Sequence, residues 1–376
     1  MRFSFSDEQE EFRVFLRRFL EDKSPTTEVR RLMETDKGYD EAVWNQLSTD
    51  LGLPAVHVPE EYGGQGFSYG ELCIVLEEMG RALLCAPYFS SAVLATTTIL
   101  NAGTEEQKRT LLPPLAAGET RAALAVTEAN GLWDCSGVET TATEAGGGYT
   151  LNGGKSFVLD GHTADTIVVL ARAPGSSGDD GLSFFTVPGS AAGLTRTLLK
   201  TADPTRKQAR LDFKDVQAEL MGEAGGAAGP LAKTLDLAAI CLANEMVGGA
   251  DRLRESAVDY AMMRVQFGRQ IGSFQTMKHK SADMLLEVEL AKSAAYYAAA
   301  AAAEEDEDLP ALASLAKASA SSAYMQTAIN TVQIHGGIGF TWDNDTHLWF
   351  KRAKSSEVFL GDPSYHRELL MQRWDV

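Results

Sequence analysis

Nothing in this 376-residue chain is spaced to hold a metal ion or to build a disulfide framework. Its four cysteines, Cys73, Cys85, Cys135 and Cys241, are scattered with no CxxC pair, and its six histidines show no ligand spacing. The thiols read as small buried side chains. No apolar run reaches the ~20 residues that a membrane-crossing helix needs, and the stretch MRFSFSDEQEEF turns charged too early for a signal peptide. A cytoplasmic protein is expected. Positive charge is also scarce: 34 Lys and Arg stand against 52 Asp and Glu, a formal charge of −18. That balance excludes the broad cationic footprint of a nucleic-acid binder. Any phosphate ligand must then meet local arginines or helix starts.

What is present suffices for a sizeable core. The chain is 44% apolar and longer than one ordinary domain, so two or three domains are expected. Ser6-Asp7-Glu8-Gln9 reads as a capping box, followed by Phe12, Phe15, Leu16, Phe19 and Leu20 at helical spacing. A turn-rich stretch, PEEYGGQG, precedes a helix over 68–84, and a further helix from Glu105 is expected to stop at Pro113-Pro114. From Thr120 the period changes to short β-type runs over 122–126, 140–143, 149–151, 155–159, 166–170, 182–187 and 208–213. Gly146-Gly147-Gly148, Asn152-Gly153-Gly154 and Pro174-Gly175 read as the turns between them, and a small antiparallel β-domain is expected. After the breaker at 225–230, long helices follow over 231–264, 274–303 and 310–335, the alanine-rich AAYYAAAAAAEEDED reading as helix rather than disorder. The layout is α+β: an N-terminal helical domain over 1–118, a β-domain over 119–222 and a C-terminal four-helix bundle over 223–376.

The break at Gly336-Gly337 stands out. Paired glycines allow close approach of a ligand, and a helix beginning after Thr341 would add free N–H donors beside Gln333 and His335, which makes an anion cradle. A plain helix C-cap and turn explains the same residues.

Its neighbours tilt that balance. Arg264-Val265-Gln266-Phe267-Gly268 with Gln275, together with QIHGGIGF at 333–340 and Ala125-Val126-Thr127-Glu128, resembles the acyl-CoA dehydrogenase family along nearly the whole chain. The resemblance implies FAD, an acyl-CoA substrate, an acceptor of the electron-transfer flavoprotein type, and a homo- or heterotetramer working in fatty-acid or steroid side-chain β-oxidation. It places Val126 and Thr127, through backbone and hydroxyl, on the polar rim of the flavin, and Phe157 and Leu159 on the ring-stacking strand, with Leu159 where a hydroxyl is usual. It gives Arg264, Phe267 and Gln275 the pyrophosphate and adenine, and Gln333, Gly336 and Gly337 the same FAD reached from a neighbouring subunit. A fork-shaped guanidinium suits phosphate oxygens. The loop after Glu128 departs from the family pattern, reading Ala129-Asn130-Gly131-Leu132-Trp133.

The larger departure is the base. Family members abstract the α-proton with a glutamate just before a Gly-Thr pair, and that slot here holds Leu360 before Gly361-Asp362. An alternative family position falls at Ala238, also without a carboxylate. Glu245 is the nearest acid that could point inward, with Glu357 and Asp362 projecting elsewhere; Glu128 reads as structural and His335 and His347 as capping or surface residues. Two readings follow. Either the chain is a self-sufficient homo-oligomeric dehydrogenase with a non-standard base such as Glu245, or it is a subunit, catalytic or purely a scaffold, completed by a paralogous partner. The ending GDPSYHREL resembles the short base-less subunits of heterotetrameric members. A third reading, another flavin reaction with oxygen, ranks last.

Overall fold

The computed structural model describes residues 5–374. In chain order the N-terminal part supplies α1 (Asp7–Lys23), α2 (Thr26–Met33), α3 (Glu41–Asn45), α4 (Tyr69–Ala82), α5 (Thr96–Ala102) and α6 (Glu105–Ala116). Seven strands follow: β1 (Ala122–Ala125), β2 (Thr141–Ala145), β3 (Gly148–Leu159), β4 (Thr166–Arg172), β5 (Leu182–Pro188), β6 (Leu194–Leu198) and β7 (Gln208–Met221). The C-terminal part holds α7 (Ala228–Met263), the short pair β8 (Val265–Gln266) and β9 (Arg269–Gln270), α8 (Gln275–Glu304), α9 (Leu309–His335), α10 (Thr346–Val358) and α11 (Pro363–Arg373).

These elements gather into two compact units that do not follow chain order. One joins the residues up to Arg31, 68–84 and those from Ala239 onward; the other joins 32–67 with 85–238. In the helical unit, α1 starts at the expected capping box, Ser6 accepting from the Gln9 backbone and Gln9 returning the bond. α4 and α7 approach so closely that a Cβ on Gly80 would lie 2.0 Å from the Glu245 carbonyl oxygen, and one on Gly248 would lie 1.9 Å from that of Glu77. Only glycine fits either position. Around this crossing the buried carboxylates are satisfied: Arg13 pairs with Glu77, which also accepts from the Tyr296 hydroxyl at 2.8 Å, and Arg17 reaches Glu78 at 2.7 Å.

The sheet of the second unit is mixed rather than antiparallel. β1 runs parallel to β4, and β2 touches β4 in parallel at Thr141 and Arg172, while the remaining pairings are antiparallel. Alternation and turn glycines identify strands but say little about which distant strands pair. Asn152-Gly153-Gly154 is no turn: it lies within β3, where the register with β7 shifts, and a Cβ on Gly153 would sit 2.7 Å from Thr140 Cα. β6 lacks the alternating apolar pattern and was not anticipated. Pro113 and Pro114 sit inside the last turn of α6 rather than ending it before them, because a proline gives up its N–H but keeps its carbonyl; those carbonyls accept from Ala117 and Glu119. Among the described residues, no helix is long and apolar enough to cross a membrane, and no three His, Cys, Asp or Glu side chains are grouped to hold a metal ion. Cys73, Cys85 and Cys241 are buried as expected, whereas Cys135 is only half-buried.

Candidate functional site

In the β-containing unit the sequence-selected residues cluster at the end of β1. Lys155, fully buried on β3, donates to the Val126 carbonyl at 2.9 Å and to Glu128 Oε1 at 2.7 Å, and the Thr140 N–H donates to the same carboxylate at 2.9 Å. Burial draws the Lys155 ammonium down to about 8, against the pull of Glu128. Glu128 is itself raised by burial, but Lys155 and the hydrogen bond from Thr140 together outweigh this and hold it below the ordinary carboxylate value. Glu128 is thus a structural partner. The Thr127 hydroxyl donates to the Ser156 carbonyl at 2.7 Å, and the Ser156 N–H donates back to the Thr127 carbonyl at 2.9 Å. The hydroxyl proton is therefore used inside the protein, leaving only lone pairs toward a ligand. Thr127 and Glu128 are nearly fully buried, yet among the described residues their backbone N–H groups have no acceptor. Two orphaned donors at a strand end are left to serve a polar ligand.

Phe157 follows at φ 58° and is 45% exposed, an unusual conformation for an aromatic residue that turns its ring out of the sheet, whereas Leu159 is buried. The loop that departs from the family pattern is braced from within. Asn130 Nδ2 donates to the Gly137 carbonyl at 2.8 Å, and the Arg172 guanidinium binds the carbonyls of Cys135, at 2.8 Å, and Val138, at 2.5 Å.

In the helical unit, Arg264, Phe267 and Gln275 lie on the exposed β8–β9 hairpin and the start of α8. Phe267 is 92% exposed at φ 53°, and the Arg264 guanidinium has no partner among the described residues. Gln275 meets His279 at 2.8 Å. At the same end of the bundle, His335 stacks on Tyr260 with ring centroids 4.2 Å apart and donates through Nδ1 to the Thr331 carbonyl. Gln333 accepts from Lys280 at 2.7 Å, and a Cβ on Gly336 or Gly337 would meet nothing within 4 Å. The cradle is open but plainer than expected. The Gly336 N–H turns back to Gln333 and Val332, and α10 begins only at Thr346, whose N–H is taken by Asn344 Oδ1 at 2.8 Å.

The expected base slot is a tight turn between α10 and α11. Leu360 is 4% exposed at φ 62°, and Gly361 follows at φ 101° with Tyr365 packed where a Cβ would be. Ala238 is fully buried. Glu245 is buried and ion-paired with Arg352 at 3.0 Å. Glu357 pairs with Lys354, and Asp362 caps α11 by accepting from the Tyr365 N–H at 2.8 Å. Sequence reasoning missed Arg352, which reads as one charge of the run KRAK, and Lys317, a lone cation in the small-residue stretch ALASLAKASASSA. Full burial of Lys317 was signalled only by the small, apolar company it keeps.

Comparisons with known proteins bear on the chain as a whole. Family models described as the acyl-CoA dehydrogenase N-terminal, middle and C-terminal domains match residues 6–119, 123–216 and 230–374. Acyl-CoA dehydrogenase IpdE2 of Mycobacterium tuberculosis H37Rv is 33% identical over 342 residues, 91% of this chain and 88% of that protein. Butyryl-CoA dehydrogenase of Megasphaera elsdenii superposes with a TM-score of 0.93 at 29% identity over the full length of both chains. A steroid ACAD designated Tcur3481-Tcur3483 superposes at 0.87, with 30% identity over 98% of each chain.

Proposed function

The chain belongs to the acyl-CoA dehydrogenase family, and from that membership we propose that it is a subunit of an enzyme that oxidises an acyl-CoA to the 2,3-enoyl-CoA, with the proton-abstracting carboxylate supplied by a paralogous partner. The observation that supports partner dependence is the fate of the acids near the slot: Leu360 carries none, Glu245 is bound to Arg352, Glu357 to Lys354, and Asp362 to the α11 backbone. A general base contributes about 10² to 10⁴ in rate, and the proton next to a thioester leaves too slowly to forgo it. The paired designation of the steroid relative fits an assembly of two different chains.

FAD is the family's cofactor and, when bound, accepts the hydride from the β-carbon. The residues present fit it: the orphaned N–H groups of Thr127 and Glu128 suit the polar rim of the ring, and the unpartnered Arg264 suits a pyrophosphate. Val126 is held by Lys155 and Thr127 by Ser156, so this edge is rigid before any ligand arrives. At the end of the bundle, Phe267, Met263, Phe340 and Trp342 are largely exposed, as are Leu285, Leu286 and Leu290 on α8. Such apolar surface suits a tetrameric assembly in which Gln333 and Gly336-Gly337 reach the neighbour's cofactor. Electrons then pass to an acceptor of the electron-transfer flavoprotein type.

The test is anaerobic flavin bleaching with a panel of fatty and steroid side-chain acyl-CoAs, on the chain alone and co-purified with a paralogue. Bleaching is expected only with the partner present, and Leu360→Glu should create it in the chain alone. Robust bleaching by the unmodified chain, not improved by Leu360→Glu, would overturn the reading.

A further inference from the structure

Two carbonyls of the turn at the base slot, and one from the end of α10 before it, point toward two buried side chains that no part of the proposed chemistry uses. Lys317 of α9, at zero exposure, donates to Ser321 Oγ at 3.0 Å, to the Glu357 carbonyl at 3.2 Å and to the Gly361 carbonyl at 3.0 Å. His366 of α11, 3% exposed, donates through Nε2 to the Leu360 carbonyl at 2.9 Å. An ammonium buried among small residues must find acceptors, and here it finds the end of α10 and the turn beyond it.

In a trans peptide the carbonyl and the following N–H point in opposite directions. With the Leu360 carbonyl aimed at His366, the Gly361 N–H points away from it; with the Gly361 carbonyl aimed at Lys317, the Asp362 N–H points away likewise. Among the described residues neither N–H has an acceptor. The left-handed conformations at Leu360 and Gly361 are strained for a leucine, and such a conformation persists where neighbours over-determine it.

We infer that Lys317 and His366 are positioning residues for this turn, clamping its carbonyls inward so that its free backbone N–H groups are presented to a carbonyl oxygen of a ligand. Resting on the proposed function, that ligand is the acyl thioester. The clamp explains why the turn keeps its shape although its side chain is a leucine: the backbone half of the site is built independently of the residue at 360. His366 remains the neutral donor this requires, because burial pushes it down to about 4, assisted by Lys317.

The experiment uses isotope-edited infrared spectra of an acyl-CoA carrying ¹³C at the thioester carbonyl, bound to the FAD-loaded protein. Wild type should shift the carbonyl stretch to lower frequency than free acyl-CoA. Lys317→Met and His366→Leu should lose the shift, while His366→Gln, which keeps an N–H donor, should retain it, with FAD content equal in all four proteins. Hydrogen exchange at the Phe359 and His366 amides should be at least about tenfold faster in Lys317→Met, since these bonds brace the turn from both sides. Unchanged exchange overturns the clamp. Bound acyl-CoA with an unshifted carbonyl in wild type overturns the link to the ligand while leaving the proposed function standing, and failure to bind acyl-CoA at all overturns both.

Discussion

Glu245→Gln separates a base from a structural ion pair. Glu245 and Arg352 are 5% and 4% exposed and 3.0 Å apart, and the helix carrying Glu245 is pressed against α4 at Gly80, leaving no room for relaxation at that crossing. Removing the carboxylate's charge breaks from one side an ion pair held in a low-dielectric interior, which costs about 3–5 kcal/mol for a buried pair. At about 2–4 °C per kcal/mol for a folding unit of this size, melting of the FAD-loaded protein should fall by roughly 6–20 °C. The double variant Glu245→Met/Arg352→Met should recover most of the loss, because both members of the buried pair are then replaced by apolar side chains. Differential scanning calorimetry of wild type and the two variants measures this, with flavin bleaching of the partnered protein read in parallel below the melting range. Bleaching should persist. A Glu245→Gln protein that melts with wild type yet bleaches about 10² to 10⁴ times more slowly would refute the reasoning and identify Glu245 as the base.

Gly248→Ala should destabilise by about 1–3 kcal/mol in denaturant unfolding, since its Cβ would stand 1.9 Å from the Glu77 carbonyl, whereas Gly337→Ala, with nothing within 4 Å, should unfold like wild type. Lys155 binds fewer protons folded than unfolded between about pH 8 and its ordinary 10.5, so its contribution to stability grows as pH rises through that window. The deficit of Lys155→Met, followed by urea unfolding, should therefore widen from pH 8 to 10, and a deficit that narrows would contradict a buried, depressed ammonium. Arg264→Ala should lower FAD occupancy of the purified oligomer, measured by the absorbance ratio of flavin to protein, and full occupancy would remove Arg264 from the cofactor site.

Much of this was legible in the chain because it is local. The capping box at Ser6, the long helices and the strand periodicity depend on residues a few positions apart, and the structure places the long helices within a few residues of the expected bounds, while the runs over 149–151 and 155–159 join into β3 and the run from 208 extends to Met221. Strand order was not legible, since the parallel pairing of β1 with β4 joins residues about forty positions apart. Asn152-Gly153-Gly154 carries turn composition but serves a close approach to Thr140, a role that only the neighbouring strand reveals. At the base slot the absence of a glutamate could be read directly. The commitments of Glu245 and Lys317 could not, because their partners on α10 and in the turn beyond it are brought to them by packing rather than by spacing, whereas the Glu357–Lys354 pair is an i,i+3 spacing within α10.

The discontinuous make-up of the helical unit has a temporal consequence. α1 and α4 are synthesised early, but the α7 segment that carries Gly248 against Glu77 emerges more than 160 residues later, and Tyr296, Arg352 and Lys317 later still. On the ribosome, the unit built from 32–67 and 85–238 has all its strands before the other can close. Meanwhile α4 waits with an apolar face and the acids Glu77 and Glu78, which Arg13 and Arg17 of α1 can already meet. Contacts of such long sequence separation form slowly. Protease sensitivity of nascent chains halted before residue 245 should therefore concentrate around 68–84, and vanish from that segment once the final helices are released.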